Sequence, residues 1–529
     1  MNRRRNSPTL APSRGSGRAS KRDVSDLRAL KRELSDIVGK QRNALRAFAK
    51  DLRRAQDRTK STSKGVLYVR GVLGSVGDDV RQVAAELRDL QAMIANYHAG
   101  ADISVFFNYI GTRIYPVVRK ACSIRYALTR HTPTLRGTPR ALHPQQLYSL
   151  QKRNSITVDY LRAACLFDVK DTSKGIEWKT NPVVDGSALD LTCIIHGVTH
   201  PSSISLSFNG AIGAIRTVRA LMEADAFSGP HKKIMAHRKS WLEVSADMLW
   251  GNTGRYEFMD ETDGRRLLGI LSEHDVVGLS IEPIYNHPEM PTTNLGDLLS
   301  ELAKSRGFKE PKYVLIDSAH TPELNPFAFF KRGRFPKGLC IFNAVSSVKY
   351  MQAGWDISKG GVLTMLYDKK TWKWGDPLTR ILQFRENMGT GISYEEAALM
   401  GIETRRSFVS RMNRYDRNVS MMRKGLGGYF AANAMGRVGS ADGGRLLYLI
   451  FNGPHAKRSR EIYLDILKVT EKNGIPLMDA SSFGMCSPHI HFVMHPEVGP
   501  IIRVSPGSTN HSTVERLTQL IIEVISNSK

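Results

Sequence analysis

Lys349 follows two serines in the run Ala344-Val345-Ser346-Ser347-Val348-Lys349-Tyr350-Met351-Gln352-Ala353-Gly354-Trp355-Asp356. An apolar stretch, Tyr313–Ile316, ends shortly before it in Asp317. A lysine amine can form a Schiff base with a carbonyl compound, and hydroxyls beside it can hold a phosphate. A carboxylate at a strand end can keep a heteroaromatic nitrogen protonated, which preserves an electron sink. A solvated loop lysine is the plain alternative for an isolated S-S-x-K, so the surrounding segments decide between the two.

Those segments must come from a folded body of some size. The chain has 529 residues, 41% of them hydrophobic, with 17 tyrosines and 19 phenylalanines, enough for a large core plus one or two smaller units. No apolar run approaches the roughly 18 residues of a membrane span. The five cysteines (Cys122, Cys165, Cys193, Cys340, Cys486) are scattered, with neither metal-ligand spacing nor a disulfide framework, so a reducing, cytoplasmic setting is expected. His489, His491 and His495 alternate along a strand-like run, but no carboxylate or cysteine set completes a metal site. P-loop, Rossmann glycine triplet and zinc-finger spacings are absent from the sequence.

The net charge is +26, and residues 1–60 hold 18 Lys/Arg against 6 Asp/Glu. Such a front attracts nucleic acid or another acidic partner, and a solvated basic tail is the alternative. Residues 1–22 carry seven Arg/Lys, four serines and no acid and are expected to be disordered. From 23 to 132 the reading is a helical extension. Leu27, Leu30, Leu34, Ile37, Leu45, Phe48 and Leu52 recur at helical spacing. After a polar break at 60–71, Val76, Val80, Val83, Leu87, Leu90 and Ile94 form a second stripe, giving a helical hairpin packed on itself, the main body or a twin subunit. Residues 133–144 read as a basic linker.

Beyond about residue 145, short apolar runs (Leu191–Ile195, Ile204–Phe208, Val276–Ile281, Tyr313–Ile316) alternate with helical stretches (Ala214–Ala224, Leu295–Ser305). That texture predicts an α/β fold with a mostly parallel sheet covered by helices, and a site at the carboxyl ends of its strands.

The order of segments there resembles the Cys/Met-metabolism family of pyridoxal phosphate enzymes, the cystathionine synthases and lyases and the methionine lyases. Ser280-Ile281-Glu282-Pro283-Ile284-Tyr285-Asn286-His287-Pro288 stands where that family ends a strand in E-S-P-x-N-P. Asp317-Ser318-Ala319-His320-Thr321-Pro322 stands for D-N-T-x-x-T-P, and Ser346 to Gly361 for S-x-T-K-Y-x-x-G-H-x-D-x-x-x-G-G. The match covers about residues 276–365. The resemblance implies a fold-type I enzyme with pyridoxal 5'-phosphate on Lys349, whose amine also moves protons. It implies Asp317 at the pyridine nitrogen, Asn286 at the ring hydroxyl, and Ser346 at the phosphate. Val348 replaces the family's threonine, which leaves part of the phosphate holding to Ser347. The turn Ser207-Phe208-Asn209-Gly210-Ala211 resembles the phosphate-binding S-G-M-A-A turn, with Gly210 and Ala211 offering backbone N–H groups. Trp241 falls where the family stacks a tyrosine on the ring, and lacks its phenol. Arg503 resembles the substrate-carboxylate arginine of L-R-L-S-x-G, and Ser482-Phe483-Gly484 the preceding S-L-G. Tyr148, Ser149, Arg153, Asn154 and Thr157 weakly resemble the segment that reaches a neighbouring subunit's phosphate.

The resemblance thus implies a large cofactor domain over 145–385 and a smaller C-terminal α/β domain over 386–529. It also implies a small-molecule amino-acid substrate undergoing β/γ-elimination or replacement, as in transsulfuration, and a homodimer or homotetramer. An aminotransferase or condensing enzyme is the first alternative. A non-catalytic relic of the fold, working through its basic front, is the second.

Overall fold

The computed structural model describes residues 21–58, 80–95, 117–118, 121, 184–197, 199–228, 231–240, 255–331, 334–352, 358–475, 477–480, 483–484 and 487–528. The expectations for residues 1–20, the break at 60–71, the linker at 133–144 and the Tyr148–Thr157 segment lie outside the described residues, as do Trp241 and Ser482.

The body is built on a seven-stranded sheet in the order β1-β7-β6-β5-β4-β2-β3. Its strands are β1 Ile204–Phe208, β2 Lys233–His237, β3 Tyr256–Met259, β4 Val276–Ile281, β5 Gly307–Asp317, β6 Lys337–Ser346 and β7 Gly361–Tyr367. β2 through β6 pair in parallel, and β7 runs antiparallel to both β6 and β1. This is the mainly parallel α/β arrangement expected from the alternating texture.

The central strands read as continuous apolar runs because both faces are covered. Tyr313 and Leu315 pack with Val218 and Leu221 of the helix Gly210–Ala226, whereas Val314 and Ile316 pack on the other side with Leu298 and Leu302 of Leu295–Lys304. Successive strand side chains point to opposite faces, so one strand serves both layers. The run Leu191–Ile195 is an exception to the reading above: it lies in the helix Val184–His196. Five apolar residues fit either period, and here Ala188, Leu191, Thr192 and Ile195 recur at helical spacing as the buried face.

A second sheet, in the order β10-β11-β12-β9-β8, comprises β8 Gly436–Gly439, β9 Leu447–Phe451, β10 Met478–Asp479, β11 His489–His495 and β12 Gly499–Ser505. It is covered by the helices Gly453–Lys472 and His511–Asn527, the latter one turn-end longer than the Thr513–Ile525 stretch read from sequence.

The basic front begins with the long helix α1, Lys21–Arg58, and continues in the helix α2 over residues 80–95. Their stripes are buried, with Leu34, Ile37, Leu45, Val80, Val83 and Leu87 all almost fully covered. α1 packs on the main body. Glu33 takes a two-pronged ion pair from Arg414 at 2.9 and 2.8 Å, and Asp26 one from Arg417 at 2.7 and 2.9 Å. Lys40 Nζ donates to the carbonyls of Gly401 and Glu403, and Lys31 Nζ ties α1 to the carbonyl of Ala95 in α2.

Candidate active site

Parallel pairing brings the carboxyl ends of β4, β5 and β6 to one edge of the sheet, and with them Asn286, Asp317 and Ser346-Ser347-Val348-Lys349. Asp317 closes β5. Part of the residue reaches the surface of the cleft, yet its carboxyl is deep enough that desolvation raises its pKa. The positive charge of Lys349 opposes that rise, as does the Ala319 N–H, which donates to Oδ1 at 2.9 Å.

The chain after Lys349 is held in an unusual path. Tyr350 and Gln352 both have left-handed backbone, with φ of 61° and 55°, a conformation that costs a non-glycine residue free energy and persists only under external constraint. The constraints are visible. The Gln352 amide nitrogen donates to Ser347 Oγ and to the Ser358 carbonyl, each at 2.9 Å, while its oxygen accepts from the Ser358 N–H at 2.9 Å. Ser347 Oγ in turn donates to the Gly360 carbonyl. The Ser347 proton is therefore engaged within the loop. Arg411, in the helix Arg405–Asn433, donates to the Tyr350 carbonyl and pairs with Glu403 through Nε at 2.9 Å and Nη2 at 2.7 Å.

A close approach and a left-handed backbone account for the glycines at 361 and 210. A side chain at Gly361 would collide with the backbone of Gly210 and Ala211, and Gly210 itself has φ of 82° at the start of its helix. The β7 strand thus begins directly against the turn that opens that helix. Its flanking Asn209 makes no side-chain cap, so the first N–H groups of the helix are left to other acceptors.

Phe483 and Gly484, between β10 and β11, and Arg503 of β12 form the opposite wall. Phe483 places its ring 4.1 Å from Lys349 Nζ and stacks on His320 with centroids 4.5 Å apart. Gly484, with φ of 91°, presses on the Lys349–Tyr350 backbone so closely that a side chain would overlap the Tyr350 nitrogen. Arg503 of β12 is 7% exposed and lies opposite Tyr448 of β9 and His491 of β11. The Tyr448 hydroxyl donates to Asn286 Oδ1, which links the two sheets. His320 is buried with neither ring nitrogen hydrogen-bonded, and desolvation holds its pKa well below the ordinary value, helped by the charges of Lys349, Arg503 and Arg445. His489, beside Arg503, is lowered to about 4 by burial.

Asn286, Asp317, Lys349 and Arg503 therefore meet at one cleft, and Gly210, Ala211, Ser346 and Ser347 adjoin it through β6 and β7. His320, Phe483, Tyr448, Gln352 and Arg411 join them without having been singled out for this role by the sequence. Only the Phe483-Gly484 pair had a local signal, as neighbours of Ser482. Among the described residues no cluster of His, Cys, Asp and Glu is arranged to hold a metal ion, and no helix is long and apolar enough to cross a membrane.

No known family profile matches the chain, and no curated protein does. Solved structures to which it is similar include apo CalE6, a methionine gamma lyase from Micromonospora echinospora, at 14% identity and a TM-score of 0.45 over 67% of this chain and 90% of that one. Cystathionine gamma-lyase from yeast is similar at 14% identity and a TM-score of 0.46, over 68% and 91%. A serine palmitoyltransferase from S. paucimobilis, with a bound PLP-myriocin aldimine, gives 12% identity and 0.43 over 65% and 76%.

Proposed function

We propose that the chain is a pyridoxal phosphate-dependent enzyme acting on an amino acid, a small-molecule substrate, by β/γ-elimination or replacement. The observation that carries this reading is the placement of Lys349 and Asp317 beyond the adjoining ends of β6 and β5, close enough that the lysine's charge counteracts the desolvation of a deep carboxyl. The residues present fit the cofactor. The Gly210 turn is a backbone cradle that a side chain on Gly361 would fill, the cleft has a deep carboxylate, and both nitrogens of His320 lack hydrogen-bond partners.

When bound, pyridoxal phosphate supplies an electron sink for charge developing on the substrate. In this reading Asp317 holds the proton on the ring nitrogen. Gly210 and Ala211 offer N–H groups to the phosphate at a helix N-terminus, with the Ser346 hydroxyl beside them and Ser347 acting by bracing the loop. Asn286, oriented by Tyr448, faces the ring hydroxyl. The planar guanidinium of Arg503 takes the substrate carboxylate in two parallel hydrogen bonds. Lys349 anchors the cofactor and moves a proton between substrate carbons. Trp241 as ring-stacking residue and Ser482 as substrate contact remain proposals from sequence position. So do the domain limits near residue 385 and a homodimer or homotetramer.

The test is the visible spectrum of the protein incubated with pyridoxal phosphate, followed by borohydride reduction and peptide mapping. A band near ~420 nm that becomes a covalent label on Lys349 is expected. A protein that stays colourless and unlabelled overturns the reading. Release of ammonia and a 2-oxo acid, rather than transfer of the amino group, then distinguishes elimination from transamination.

A further inference from the structure

The proposed active site leaves the charge on α1 and α2 without a role. Arg46, Lys50, Arg53 and Arg54 of α1 and Arg81 and Arg88 of α2 line one groove of about 560 Å³, with the small residues Ala49, Ala84 and Ala85 between them. On α1 these cations fall at helical positions i, i+4, i+7 and i+8, which is one face, and on α2 at i and i+7. All six side chains belong to exposed residues.

We propose that this groove binds the phosphate backbone of a nucleic-acid strand. The proposal is independent of the cofactor reading. The α1 cations from residue 46 to residue 54 span about 12 Å of helix axis at about 1.5 Å per residue, so a strand lying in the groove meets several of them at once. Five of the six are arginines, whose guanidinium fork matches phosphate oxygens in pairs. The alanines let a sugar–phosphate backbone approach closely. Among the described residues no aromatic ring lines the groove, so recognition is of the backbone, without base stacking.

The burial of the apolar stripe favours nucleic acid over an acidic membrane. An interfacial helix needs a free apolar face, whereas Leu45, Val80, Val83 and Leu87 are all 0% exposed. Asp26 and Glu33 of α1 are engaged by Arg417 and Arg414 at the end of the helix away from the groove. Within α2, Asp89 comes only to 3.7 Å from Arg88 Nε, and both side chains are solvated, so that pair is screened and weak. The net charge of +26 adds long-range steering of a polyanion.

The experiment is fluorescence anisotropy of the full-length protein with a labelled single-stranded RNA of mixed sequence, titrated over a range of KCl concentrations. Binding is expected to weaken linearly in log–log form with a slope of about −3 to −4, as for four to six neutralised phosphates on a single strand. The triple variant Arg46→Glu, Arg53→Glu, Arg88→Glu is expected to bind at least about tenfold more weakly, with a slope shallower by about two. The milder triple Arg46→Gln, Arg53→Gln, Arg88→Gln, which introduces no repulsion, falls between it and the wild type and separates lost binding from misfolding. The pair Lys457→Glu and Arg460→Glu, exposed on the helix Gly453–Lys472, leaves affinity unchanged. Full affinity in the groove variants overturns the proposal, as does equal loss in the Lys457/Arg460 variant. So does binding to phosphatidylserine vesicles in place of RNA.

Discussion

Arginine works differently at the two ends of this molecule. Around the Lys349 loop it is buried and matched: Arg411 and Glu403 have side chains only 2% exposed, and Arg445 is held between Glu323 and Asp416 while its guanidinium lies 5.2 Å from the Tyr350 ring. In the groove of α1 and α2 the same residue type stands in water. Burial decides the difference. A desolvated guanidinium must be paired, and once paired it fixes the geometry of whatever it touches. A solvated one contributes little to the fold, because water screens any pair it makes. α1 contains the transition within one helix, since its N-terminal half is stitched to the body by Glu33 and Asp26 and its C-terminal half presents cations.

The largest expected effects are at the matched end. Lys349→Ala removes the borohydride-trapped label and lowers turnover by roughly 10²–10⁴-fold, the range of a lost acid–base group. Asp317→Asn still takes up cofactor, seen by its absorbance, but turns over poorly. Next, Arg411→Met leaves Glu403 as an unpaired buried charge and is expected to cost about 3–5 kcal/mol in denaturant unfolding. Replacing both, Arg411→Met with Glu403→Leu, restores most of that stability but not the path of Tyr350, so activity stays low. If the double variant regains full activity, the pair does not position the loop.

A smaller effect comes from pH. Histidine in the unfolded chain protonates near about 6.5, whereas burial holds His320 well below its ordinary pKa and His489 at about 4. The unfolded state therefore binds more protons in mild acid. The stability contribution is complete above about pH 6.5 and is lost as pH falls toward about 4. Urea midpoints at pH 7.5 and pH 5 should differ in that direction, with a flatter profile in His489→Gln. The smallest effect belongs to the exposed end: Arg53→Gln should change stability by no more than about 0.5 kcal/mol. A larger loss would mean that the groove arginine serves the fold after all.

The sequence was most legible where chemistry and chain order coincide. Asp317 at the end of an apolar strand, the serine pair before Lys349, and the glycines at 210 and 361 are local patterns, and the structure sets them along one edge of the sheet. The stripes of the front helices were equally plain, because a stripe of seven leucine-like positions has only one period. Leu191–Ile195 was not, since so short a run carries no period of its own. Nor were Tyr448 and Arg411 legible as site residues. Each reaches the cleft from a distant segment through tertiary packing, and a tyrosine in a strand or an arginine in a helix looks the same whether or not it does so. His320 sat inside the motif but had to be seen with both nitrogens buried and unbonded before it stood out.

Gly484 gives the cleft a property that neither sheet has alone. With the Lys349–Tyr350 backbone pressed against it and no space for even one added carbon, the joint has no slack, like two gears cut without backlash. Under the proposed function, a displacement of Gly484 would press on the Lys349 main chain itself instead of being absorbed by a compressible side chain, and so would re-aim the Lys349 amine.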